Sequence, residues 1–312
     1  MKLEDLRKKQ KQLINSIYEY TEKILISDFL FFSYIGARIC YAGSHPLLLF
    51  YEEKFRDHVK FKEFLLHLKK AGHFSVFAHT PIFVNTSRFS FEEKFEIAST
   101  YFKVFWDEEE RKALFNLRHF AENLEDDVFE KILDVNPDFE KVYIKFFRNY
   151  EKIFEGKFVD LPAELIEETK EFAEPEVIIM EVKREHPFRW IGVIVHGFSR
   201  IFSHQFVRHT WLNFNQRSHR YTSVDSFVIP ESFKKKHMEI YRNIIENSMK
   251  YYREFCKEMK RESARFLVPQ GVATSLLATG PDMVWKDFIN KRAIPQAQEE
   301  IRKLAVLLKE NL

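Results

Sequence analysis

Cysteine is nearly absent from this chain: of 312 residues only Cys40 and Cys256 carry a thiol, far apart and outside any CxxC spacing. That excludes a disulfide framework and a zinc knuckle, and it suits a reducing cytoplasm. Glycine and proline are scarce as well, at 8 and 10 residues, so Gly-rich turns are few and the chain reads as mainly helical. Net charge is also missing. With 49 basic against 47 acidic residues the formal charge is +2; no chain-wide basic surface exists for nucleic acid, and any anion site must be local. The longest apolar run, near Ile24 to Ile35, is interrupted by Ser27 and Asp28 and is too short to span a bilayer. The first dozen residues are charged, unlike a secretory signal. The expectation is a soluble cytoplasmic protein with no membrane or nucleic-acid partner.

What the chain does hold is phenylalanine, 34 residues of it, within 45% hydrophobic and 31% charged composition. This is globular composition, enough for one large core or two modest ones. Leu3, Leu6, Leu13, Ile14 and Ile17 recur at helical spacing. A second helix is expected over 50–70, closed by Gly72 as a C′ residue. His73 to Val84 alternates like a strand, and 90–173 reads as a long helical block broken near Asp107, Asn136-Pro137 and Gly156 to Pro162. Glu176 to Val182 and Trp190 to Phe198 read as strands joined at His186-Pro187. An amphipathic helix over 231–262 and a final helix from about Pro281 to Leu308 follow. The fold class is α+β: a small mixed or antiparallel sheet packed against several long helices, with an extra helical segment. The expected organisation is 1–85 and 176–312 as two parts of a catalytic domain, with 86–175 as a helical insertion; a second domain there fits equally.

The densest chemistry lies in residues 205–221, which pack three arginines, two histidines and four amides with no acidic residue. Val193 to Phe198 delivers this stretch as a buried strand, and Ser199 is placed to cap a helix through about His209. On such a helix Gln205, Arg208 and His209 share a face. A helix end followed by a polar loop offers backbone N–H groups and guanidinium forks to a phosphate or a planar carbonyl edge. Against this stands the plain alternative that Arg208, Arg217 and Arg220 are solvated surface charges; their grouping after a buried strand argues otherwise. A metal site from His196, His204, His209 and His219 is not expected, because a spacing of five separates His204 from His209 and no acidic ligand lies close. His45, His67, His79 and His119 read as ordinary surface or core residues. The Phe-rich helices at 89–105 and 139–154 read as core or subunit contacts rather than a cofactor box.

The run Arg208-His209-Thr210-Trp-Leu-Asn213-Phe-Asn-Gln216-Arg-Ser218-His-Arg220 resembles the signature of flavin-dependent thymidylate synthases, the ThyX family, roughly R-H-R-x-x-S-x-x-[EQ]-x-S-x-R. Its lead-in, Gly197-Phe-Ser199-Arg200 through His204-Gln205, is similar as well. Ala264-Arg265-Phe-Leu-Val-Pro269 resembles the family's A-R-x-x-L-P element. Phe288 to Arg292 with Ala297-Gln298-Glu-Glu-Ile301 resembles its closing helix. Ala37 to Tyr41 and Gly72 to Ser75 are weaker matches to early flavin-contacting elements. The departures are Thr210 for Arg, Asn213 for Ser, and Pro281, Met283 and Asp287 where Asn, Arg and Asn are expected. Two lost cations and a gained carboxylate weaken the hold on flavin phosphates, each charge-assisted contact being worth ~1.5–3 kcal/mol.

The resemblance implies reductive methylation of dUMP to dTMP by a homotetramer with shared sites, using FAD, with NADPH and methylene-tetrahydrofolate as co-substrates and no cysteine nucleophile. It implies that Arg292 faces the uracil and, with Ser218 and Arg220, carries the catalysis. Gln205, Arg208, Gln216, Ser218, His219, Arg220, Arg265 and Arg292 would bind dUMP. His73, Ser75, Arg208, His209, Thr210, Gln216 and Asp287 would contact FAD. No metal is implied. The alternative reading is a paralogue with the same fold, acting on another pyrimidine nucleotide or without synthase activity.

Overall fold

The computed structural model describes residues 30–49, 52, 54, 58–122, 172, 173, 175–182, 186–224 and 226–312. The expected helix over 2–24 and the breaks near 136–137 and 156–162 lie outside them.

Helix α1, Leu30–Tyr41, is apolar almost all round and buried along nearly its whole length, as a helix without a polar face must be. It packs against a four-stranded antiparallel sheet of order β4-β5-β7-β6. These strands are β4 (Glu176–Val182), β5 (Trp190–Ser199), β6 (Asn213–Gln216) and β7 (Ala273–Pro281). Every residue of β7 is buried, because the strand has a neighbour on each side and packed elements on both faces. The expected pair of strands around His186-Pro187 is present, with Glu176 opposite His196 and Val182 opposite Trp190.

A short helix α2 (Pro46–Leu49) and helix α3 (His58–Lys70) follow α1. Gly72 ends α3 in the left-handed conformation at φ 74°, with Gly72 N donating to Lys69 O and His73 N to Leu68 O. This is the predicted C′ role. The expected strand over His73–Val84 is only half a strand: Phe74–His79 forms a 3-10 turn, and β1 is confined to Pro81–Asn85.

The expectation of helix from residue 90 onward needs a larger correction. Helix α4 (Phe91–Thr100), started by a Ser90–Glu93 capping box, and helix α5 (Leu117–Glu122) are helical. Between them lie β2 (Phe105–Asp107) and β3 (Lys112–Asn116), which join β1 in a second antiparallel sheet of order β1-β3-β2. Lys103 and Arg111 take positive φ, 67° and 50°, and these tight turns allow strands to form in a Glu- and Lys-rich stretch.

Helix α6 (Arg200–Phe206) leaves β5 at a β-bulge between His196 and Phe198, where Gly197 has φ 75°. Ser199 caps it as expected, accepting from Phe202 N. The helix stops at Phe206, so Arg208 and His209 lie in the following turn rather than on a face shared with Gln205. Helix α7 (Lys235–Glu258), a short α8 (Arg261–Ala264) and a 3-10 turn (Arg265–Leu267) lead to β7. The expected final helix is two: α9 (Asp282–Arg292) and α10 (Glu299–Asn311). The amide side chain of Gln298 caps the second by accepting from Glu300 N and Ile301 N.

His79 joins the two sheets. Its fully buried ring donates from Nε2 to Asn215 Oδ1 on β6 at 2.6 Å and meets Thr279 Oγ1 on β7 at 2.9 Å; its carbonyl accepts from Trp190 Nε1 on β5 at 3.0 Å. Burial pushes its pKa from 6.5 to about 3, and burial likewise holds His119 at about 4. Below pH 6.5 the unfolded chain therefore takes up protons that the folded rings refuse, and stability is lost as pH falls towards the folded values. Melting temperature followed downward from neutral pH is expected to drop below about pH 6.5. His79→Gln should flatten that dependence, and a melting profile independent of pH between about 6 and 4.5 would contradict the assignment.

Candidate functional site

The polar loop after β6 is held from two directions. Arg217 N donates to Ser275 O on β7 at 2.9 Å, and Ser218 N donates to Cys40 O at the end of α1 at 3.0 Å. Ser218 O then accepts from Tyr221 N, Thr222 N and Thr222 Oγ1. Arg217 is buried and donates to Thr222 Oγ1 and Ser223 O at 3.2 and 3.1 Å. It is thus neither a solvated charge nor a free anion donor; it braces the turn.

This turn places His219 in a cavity of ≈ 340 Å³ lined by Arg200 and His204 of α6, by Arg265 and Phe266, and by Val268 to Gln270 and Val272. The lining is cationic and, among the described residues, carries no carboxylate. Burial first, then Arg200, Arg217 and Arg265, hold the His219 ring down to about 3. Burial and the facing Arg265 also lower Arg200. Cations kept together around one cavity are the lining that an anion would need. Arg200 is aimed by its backbone: Arg200 N donates to Val272 O at 3.0 Å, and the adjacent Ser199 is gripped through N and Oγ by the Glu300 carboxylate.

A second group forms at the end of α9. Arg292 Nε donates to His209 Nε2 at 3.0 Å, and the His209 ring stands edge-on to Phe288 at 4.9 Å. Burial, Arg292 and Lys291 push His209 down to about 4, so it is a neutral acceptor that orients the guanidinium. A third group is aromatic: Tyr41 lies 6.1 Å from His73 and 5.1 Å from Tyr221, whose ring is covered by Arg220 at 5.5 Å.

The residues singled out in the sequence distribute over these groups. His219 and Arg265 share the cavity; His209 meets Arg292; Ser218 Oγ accepts from Arg220 N at 3.3 Å. The Arg220 guanidinium donates to Glu262 at 3.1 Å, Gln216 donates to Thr274 Oγ1 at 3.3 Å, and Asp287 pairs with Lys291 at 2.7 Å. Gln205 is half-buried, while Ser75, Arg208 and Thr210 are exposed; the side chains of all four form no hydrogen bond among the described residues. Arg200 was missed as a ligand-binding candidate. Its signal was present: a cation at the first helical position after a buried strand, four residues before His204 on the same face.

With the geometry in hand, comparison with known proteins is decisive for the family. The profile of the thymidylate synthase complementing protein family matches residues 131–312, more than half of the chain. The chain belongs to that family. The match begins inside the segment 86–175, and all three groups above draw on residues within it. A flavin-dependent thymidylate synthase of Thermococcus onnurineus is 37% identical over 121 residues, which is 36% of this chain and 49% of that protein. Those of Pyrococcus furiosus and Sulfolobus acidocaldarius are 35% and 32% identical over 120 and 116 residues, again 36% of this chain and 49% and 45% of theirs. The chain thus spans about half the length of the curated relatives it matches.

Arg200→Ala and Arg265→Ala are each expected to weaken binding of inorganic phosphate by about 1.5–3 kcal/mol, tenfold or more, in isothermal titration calorimetry. Unchanged affinity in both variants would remove the cavity as the anion site.

Proposed function

We propose that the protein is a flavin-dependent thymidylate synthase, methylating dUMP to dTMP with methylene-tetrahydrofolate as carbon donor and NADPH as reductant through FAD. The observation that carries this reading is the cationic cavity of Arg200, His204, His219 and Arg265 in a chain of this family, whose relatives bear the activity in their names. A nucleotide monophosphate is an anion of the charge that this lining lacks.

On this reading Arg265 and Arg220 hold dUMP, with Ser218, His219, Arg208, Gln205 and Gln216 completing the nucleotide site. Arg292, oriented by the neutral His209, faces the uracil and stabilises negative charge as the ring is polarised. Cys40 takes no part as a nucleophile: burial raises its pKa, and its sulfur accepts from Asn215 Nδ2 at 3.0 Å.

The residues present fit a flavin. The Tyr41–His73–Tyr221 cluster offers exposed aromatic rings, Arg208 is an exposed cation, and the Asp287 carboxylate is compensated by Lys291. FAD would be held by His73, Ser75, Arg208, His209, Thr210 and Gln216, with Asp287 at the edge. When bound, it supplies the reducing electrons of the methylation. The protein binds, orients and shields the reactants from water.

A cytoplasmic homotetramer with shared sites completes the proposal. It is supported by the outward apolar face of α7, where Ile240, Ile244, Tyr251 and Phe255 are exposed, and by Phe266 at 88% exposure. Among the described residues no helix is long and apolar enough to cross a membrane.

Purified protein is expected to take up FAD with the absorbance of a flavoprotein. With NADPH and methylene-tetrahydrofolate it should release tritium from 5-labelled dUMP. Arg292→Ala should abolish that release while the circular dichroism spectrum stays the same. Failure to bind FAD would overturn the function; full turnover by Arg292→Ala would overturn the role of that residue. Light scattering that returned a monomer with full activity would remove the shared site.

A further inference from the structure

The segment between α4 and β2 reaches across to the turn that presents His209. Phe102 and Phe105 lie 4.9 and 5.7 Å from the Trp211 ring. Between them Lys103, in a left-handed conformation, donates from Nζ to Leu212 O at 2.6 Å and to Asn213 Oδ1 at 3.0 Å. Leu212 N in turn donates to His209 O at 2.9 Å, and His209 accepts from Arg292. An unbroken set of bonds therefore runs from Lys103 to the guanidinium beside the reaction centre. Its first member, Lys103, lies upstream of residue 131, where the family match begins, and the rest lies within that match.

Lys103 is an odd choice for a merely structural contact. Its ammonium is half-buried, and among the described residues it meets two neutral oxygens and the Phe102 ring. A charge desolvated without a counter-charge does not stabilise a fold. We propose that Lys103 is a positioning residue of the turn that presents His209, its ammonium fixing Leu212 and Asn213 so that His209 holds Arg292 in place. What Arg292 faces rests on the thymidylate synthase reading; the positioning does not.

Burial first, and then Arg118, push Lys103 down to about 8. Among the described residues, Arg118, His119 and His79 are the other charged or titratable groups facing it. Arg118 is paired with Glu122 at 3.0 Å, His119 is held at about 4 and donates to Phe102 O, and His79 is held at about 3. Lys103 therefore loses its charge as pH rises through about 8, and the grip on the turn should loosen over that interval.

The test uses Lys103→Met and Lys103→Arg in the full chain. Trp211 is 49% exposed, whereas Trp190 and Trp285 are buried and Trp106 is half-buried; its quenching by acrylamide reports the turn without any ligand. In the wild type, quenching should rise as pH passes through about 8. Lys103→Met should show the high value at all pH, and Lys103→Arg the low one. Affinity for FAD should fall about tenfold in Lys103→Met and be restored in Lys103→Arg, while the melting temperature at pH 7 is unchanged or higher. Wild-type quenching and affinity in Lys103→Met, or a melting temperature that falls together with the affinity, would overturn the proposal. If the wild type binds neither FAD nor dUMP, the synthase reading fails and the quenching profile alone decides on Lys103.

Discussion

The buried imidazole of His79, bonded to Asn215 on one side and Thr279 on the other, is the contact on which the geometry of the site depends. Strand β6 is short and lies at the edge of its sheet, and its ladder with one neighbour alone would leave it free to shift. Its inward side chains remove that freedom. Asn213 donates to Ala78 O at 2.8 Å and accepts from Lys103, while Asn215 lies between His79 and Cys40. Side-chain amides, which both donate and accept, suit a strand gripped from behind by another part of the chain. A strand so fixed can carry a loop of cations whose repulsion would otherwise spread it apart.

That repulsion is the second theme. Arg200, Arg217 and Arg265 surround His219, and Arg292 stands against His209. The histidines answer by staying neutral, which lets them accept hydrogen bonds or fill space without adding charge. Arg217 is satisfied internally by Thr222 and Ser223, so its charge stabilises the loop while Arg200 and Arg265 line the cavity. Remote carboxylates set the frame: Glu300 fixes the start of α6, and Glu262 restrains Arg220. The preorganisation of charge is thus accomplished by folding, before any ligand arrives.

Much of this was legible in the chain. The strands around His186-Pro187, the cap at Ser199, the C′ glycine at Gly72 and the polar loop each depend on neighbours within a few residues. Other features were not. Strands β2 and β3 were read as helix because Lys112 to Asn116 lies in a Glu- and Lys-rich stretch, and only its pairing with Pro81–Asn85 makes β3 a strand. The break between α9 and α10 was missed because Gln298, which caps the second helix, is a weak cap signal in sequence. Arg200 was seen only as part of a lead-in, since its partner Arg265 is distant in the chain.

The sequence by itself determined the local units and, through three motifs in order, the family; these follow from short-range spacing and residue chemistry. Tertiary structure alone decided which arginine is spent on the fold and which faces the cavity, and that the segment ahead of β2 reaches the signature turn through Lys103. Those outcomes turn on burial and on contacts between residues that are about a hundred positions apart, as in the Lys103–Leu212 bond, where electrostatic energy depends on desolvation and distance rather than on order along the chain.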